Sequence, residues 1–158
     1  MFLDGLIKVA LSETEARASD FERAVTVLDE ALATAERTGY RAFEAELRAR
    51  GEMLLRRDPT DSAEGEQVLQ TALAIARQQG TRAFELRAAL SLAKLLQSTG
   101  RPVEAHAVLA PALEGFSPTA EMPEIAGAQA LLTALAETAE VKLEVTQRGG
   151  CKSPIARR

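Results

Sequence analysis

Apolar positions recur at spacings of three and four along most of this chain. Leu28, Ala31, Leu32 and Ala35 share one face of a helix, and so do Leu69, Ala72, Leu73 and Ala76. Between such runs stand residues that stop or start helices. Gly39, Gly80 and Gly100 suit the left-handed stop after a helix, and Pro102 suits a first helical turn. Ser19 with Glu22, and Asp61 with Glu64, read as capping boxes, while Asp58-Pro59-Thr60-Asp61 reads as a turn and Ser117-Pro118 as a break. The pattern predicts helices at roughly 2–17, 20–38, 41–57, 63–79, 82–99, 102–115 and 121–139. Loops this short make successive helices antiparallel neighbours. Alanine at a fixed position lets two helix axes approach closely, and leucine fills the space beside it. Leu28, Ala31, Leu69, Ala72, Leu73, Ala93, Leu109 and Ala112 are the expected core.

The helices repeat. With Val27–Glu44 laid over Val68–Glu85, an offset of 41, 11 of 18 positions are identical. They include Val27/Val68, Leu28/Leu69, Ala31/Ala72, Leu32/Leu73, Gly39/Gly80 and the run Arg41-Ala42-Phe43-Glu44 against Arg82-Ala83-Phe84-Glu85. The leucine–alanine spacing returns at Leu109, Ala112 and Leu113. A helix pair of this kind cannot bury its apolar face alone, so neighbouring pairs must stack.

Residues 88 to 113 resemble the tetratricopeptide repeat. A first helix carries the small residue Ala93 with Leu96 three on, Gly100 makes the turn, and a second helix carries Ala105, Leu109 and Ala112. Gly51, Leu54, Gly65, Leu69 and Ala72 supply the same signs in the preceding unit, and Ser12, Ala24, Leu28 and Ala31 in a first one. Gly127 stands as the small residue of a lone last helix. The family's Trp and Tyr signatures are missing, and the period of 40–41 exceeds the usual value of about 34. The phrase from Ala72 to Leu92 is similar to the C-terminal repeats of bacterial predicted ATPases, some fused to class III adenylate or guanylate cyclase domains. The resemblance implies an all-α, right-handed solenoid of helical hairpins, about three repeats plus a closing helix over residues 1–140. Residues 141–158 are expected to form a flexible basic tail.

Composition supports helix. Apolar residues make up 46%, aromatics 4%, and Trp and Asn are absent, with Ala, Leu, Glu and Arg in their place. The net charge of −4 speaks for no particular partner. The lone cysteine, Cys151, has no intramolecular mate, which fits a reducing compartment, and the expected location is the cytoplasm. Met-Phe-Leu-Asp-Gly-Leu-Ile-Lys looks a little like a secretion signal, but Asp4 and Lys8 interrupt its apolar run. No uninterrupted apolar stretch approaches the length of a membrane span.

Chemistry-bearing constellations are missing. His106 and Cys151 are the only residues of their kinds and lie in different segments, so neither a Cys–His nucleophile nor a zinc site is expected. Gly149-Gly150-Cys-Lys-Ser lacks the upstream glycine of a phosphate loop. Glu44 and Glu46 read as a solvated helix face. The tail cations Lys142, Arg148, Lys152, Arg157 and Arg158 have no aromatics between them, unlike single-strand nucleic-acid binders. No cofactor, metal, nucleic acid or membrane is expected, and no enzymatic activity.

The resemblance places the binding face instead. In tetratricopeptide arrays the first helix of each pair lines a concave groove. Counting from Gly51 and Ala93 selects Arg48, Glu52 and Arg56, then Arg87, Leu90, Lys94 and Gln97, with Glu13 and Arg17 at one end and Glu124 at the other. Arg48, Arg56, Arg87 and Lys94 make its centre basic, suited to an acidic peptide or helix. The carboxylate clamp of chaperone-binding relatives requires Asn, which this chain lacks. The leading expectation is a protein-binding scaffold. A regulatory module of a larger signalling ATPase or cyclase, and a self-associating helical protein, stand beside it.

Overall fold

A computed structural model describes residues 2–17, 20–38, 44–59, 61–117 and 122–149. Among these it contains seven helices and no strand. They are α1 (Phe2–Arg17), α2 (Phe21–Thr38), α3 (Glu44–Arg57), α4 (Ala63–Gln79), α5 (Arg82–Ser98), α6 (Pro102–Leu113) and α7 (Pro123–Gly149). Each agrees with one helix expected from the pattern. The largest difference is at the end of α7, which runs ten residues past 139. The apolar repeat fades there, but Ala136 to Arg148 contains neither Gly nor Pro, so nothing local stops the helix before Gly149. Part of the expected tail is therefore helical, and residues 150–158 lie outside the described residues.

The helix ends are only partly those anticipated. Gly80 and Gly100 adopt positive φ, 69° and 77°, as left-handed stops, and Pro102 opens α6. Gly39 and Ser19 lie outside the described residues. Asp20 caps α2, its Oδ1 accepting the Arg23 N–H at 3.1 Å. The Asp61–Glu64 box does not form. Ser62 takes the cap position without a side-chain bond, and Glu64 accepts from Arg50 instead.

Every helix packs on its neighbours in sequence. The odd helices also pack on one another, α1 on α3, α3 on α5 and α5 on α7, whereas among the described residues no two even helices touch. All eight expected core residues are buried. All but Ala31 belong to one of two clusters. The larger gathers side chains of α4, α5, α6 and α7, and the smaller those of α1, α2 and α3. α3 joins them, with Ala49, Met53 and Leu54 in the smaller cluster and Leu47 and Leu55 against the larger.

Gly51 and Gly65 form the seam between α3 and α4. A Cβ on Gly51 would lie 2.8 Å from Leu69 Cγ and 3.2 Å from the Gly65 carbonyl oxygen. One on Gly65 would lie 2.8 Å from Leu55 and 3.2 Å from the Gly51 oxygen. Two glycines face to face bring the backbones close enough for Leu55 and Leu69 to close over the crossing.

Ion pairs bridge neighbouring helices. Arg50 on α3 reaches Asp29 of α2 and Glu64 of α4, and Arg101 joins Glu66 of α4 to Glu104 of α6. Arg82 ties the start of α5 to the end of α6. It donates to the carbonyl oxygens of Ala112 and Glu114, pairs with Glu85, and lies 5.6 Å from the Phe116 ring centroid.

Candidate functional site

Because the odd helices pack side by side, α3 and α5 present adjacent stripes. On α3, Arg48, Glu52 and Arg56 follow one another at intervals of four, one turn apart. On α5, Ser91, Lys94, Leu95 and Ser98 repeat at three and four. Between them lies an open groove of about 510 Å³, lined by Glu52, Leu55, Arg56, Pro59, Ser91, Lys94, Leu95 and Ser98. Three of the expected residues, Glu52, Arg56 and Lys94, line it.

The other expected residues are distributed differently. Leu90 is buried beneath α7, opposite Gly127, and belongs to the core. α7 covers Leu90 where a groove was expected. Gln97 is exposed but does not line the groove. Arg87 and Glu124 meet across α5 and α7, Nε to Oε1 at 2.9 Å, and Arg87 also lies 6.0 Å from the Phe84 ring centroid. Arg48 donates from Nη1 to Glu52 Oε1 at 2.6 Å, and Ser91 Oγ donates to that same oxygen. Glu13 and Arg17 are exposed on α1.

The electrostatics of the expected basic centre change accordingly. Two of its four cations, Arg48 and Arg87, are neutralised by carboxylates of the same face. Arg48 Nε and Glu124 Oε2 are buried without a hydrogen-bond partner among the described residues. A hydrogen bond from its own backbone, with the Arg87 and Arg48 guanidiniums nearby, holds the Glu124 carboxyl below the ordinary range against the opposing effect of burial. Arg56 and Lys94 are exposed and make no ion pair among the described residues. The groove thus offers two available cations beside an apolar strip of Leu55, Pro59 and Leu95.

Leu55, Pro59, Ser91, Leu95 and Ser98 complete the site. Ser98 sits five residues after Ala93, as Arg56 sits five after Gly51, and Leu55 sits four after Gly51. The register that selected the charged residues therefore pointed to these two as well. Pro59 comes from the loop after α3, and nothing in the helical register marks it.

The lining residues contain neither histidine nor cysteine, and the one carboxylate, Glu52, is occupied by Arg48 and Ser91. His106 is exposed on α6, away from the groove. Among the described residues no three His, Cys, Asp or Glu side chains stand together as a metal site, and no helix is long and apolar enough to cross a membrane. No protein-family model, curated protein or solved structure matches the chain.

Proposed function

We propose that this protein is a non-catalytic interaction scaffold whose α3–α5 groove takes an acidic peptide or helix from a protein partner. The observation that carries this reading is the pairing pattern: Arg56 and Lys94 flank an apolar strip in an open groove, while Arg48 and Arg87 are paired with Glu52 and Glu124. A segment with Asp or Glu beside a large apolar residue matches it, the carboxylates meeting the cations and the apolar side chain covering Leu55 and Leu95. Arg56 suits a carboxylate through two parallel hydrogen bonds, whereas Lys94 acts as a point charge.

The arrangement of helices favours a tetratricopeptide-like, right-handed solenoid of about three hairpins and a closing helix. Odd helices in contact with odd, and even helices apart, are what an inner row and an outer row of helices produce. An inner row on α1, α3, α5 and α7 would place the groove on the concave side.

The test uses labelled peptides that alternate acidic and apolar residues, titrated by fluorescence anisotropy. Wild-type protein should bind them more tightly than charge-neutral versions, with affinity falling as salt rises. Arg56→Glu with Lys94→Glu should weaken binding at least about tenfold, or about 1.4 kcal/mol, without altering the circular dichroism spectrum. Equal binding by a folded double mutant would refute the groove assignment.

A further inference from the structure

Among the described residues the exposed large hydrophobics are Ile7 at 64%, Leu11 at 44% and Val103 at 74%. Ile7 and Leu11 are one turn apart and share a side of α1. That side has counterparts in the other odd helices. Counted from Ser12, Gly51 and Ala93, Ala10 is level with Ala49, Leu11 with Arg50 and Leu92, and Thr14 with Met53 and Leu95. Ala49 and Met53 are buried in the cluster α3 shares with α1 and α2, and Leu92 and Leu95 are buried in the larger cluster. Arg50 is held by Asp29 and Glu64. On α3 and α5 most of these positions are buried or held in ion pairs, and on α5 Ser91, level with Ala10, and Leu95 border the groove. On α1, Ile7, Ala10, Leu11 and Thr14 are all exposed and none is charged.

We propose that this side of α1 is a self-association surface, on which α1 of a second copy packs antiparallel about a two-fold axis. The other helices of a second copy that could cover it as α2 adjoins α3 are the even ones. Each of these is already held between two odd helices. α1, in contrast, complements itself. With the axis between residues 10 and 11, Ile7 falls level with Thr14 of the second copy, and Ala10 with Leu11, small against large on both halves. In the same register Asp4 falls level with Arg17, opposite charges on both halves of the pair. Antiparallel pairing also opposes the two helix dipoles. Such a contact is isologous and therefore closes at two copies. One helix pair makes an interface at the small end, below about 1,200 Å², so association depends on concentration.

This surface is independent of the α3–α5 groove, and its test reads oligomeric state alone. Light scattering behind size exclusion, over a series reaching the millimolar range, should show the mass rising from 16.9 kDa towards twice that value. Ile7→Glu with Leu11→Glu should hold the mass at the monomer value throughout, with unchanged melting in dilute solution because both side chains are exposed. In a Cys151→Ser background, Leu11→Cys should cross-link under mild oxidation and Val103→Cys should not. A wild type that stays monomeric over the whole series overturns the proposal. So does a double mutant that still dimerises, or cross-linking through position 103 in place of 11.

Discussion

Three glycines at equivalent points of the odd and even helices do different work. Gly51 and Gly65 leave no room for a methyl group, since its neighbours would be a leucine branch and a backbone oxygen. Gly51→Ala should therefore lower stability by about 1–3 kcal/mol, as overpacking does. Gly127 meets only Leu90, at an ordinary 3.8 Å, so Gly127→Ala should raise stability by up to about 1 kcal/mol through helix propensity. Urea melts of the two variants should move in opposite directions. Leu69, fully buried over the Gly51 seam, should cost about 2–5 kcal/mol when cut to alanine. Glu124 adds a pH term. Its folded-state pKa lies below its ordinary 4.5, so its contribution is fully present above about pH 4.5 and is lost as pH falls through the lower folded value. Glu124→Gln should thus narrow the gap in melting temperature between neutral and acidic pH, and an unaltered acid limb would exclude that role.

At the level of the elements, the helix ends and crossings decide stability more than the helices alone. Arg82 satisfies carbonyl groups that the end of α6 leaves without intrahelical partners, and it stacks near Phe116. Arg82→Ala should cost about 1.5–3 kcal/mol in thermal or urea melts, and Arg82→Lys should recover only part of that, because an ammonium lacks the planar fork. α7 makes the opposite case. Its last buried side chain among the described ones is Leu135, yet its backbone stays helical to Gly149. Truncation after Glu140 should reduce the helical ellipticity modestly and leave the melting midpoint unchanged, whereas a lower midpoint would reveal docking of the last turns.

Across the whole molecule, linear neighbour packing leaves the first helix with one side exposed and the third and fifth with a groove between them. What the sequence determined by itself is considerable. All seven helices, the eight core residues and the odd-helix register were legible, because apolar spacing and glycine or proline punctuation act locally and need no knowledge of neighbours. Three of the groove residues, Glu52, Arg56 and Lys94, followed from that register. Only the tertiary structure decided which charges remain available. Arg48 and Arg87 look as basic as Arg56 in the sequence, but packing sets them beside Glu52 and Glu124, and a guanidinium next to a carboxylate is no longer an open site. Leu90 was placed on the surface because the repeat puts it there, and it is buried because α7 packs against α5 over it. The end of α7 was misplaced for the converse reason: loss of the apolar pattern ends packing, but a helix ends only where backbone propensity fails. Helix formation is written in residues three and four apart, whereas the state of a charged or apolar side chain depends on what the fold brings against it from a distant part of the chain.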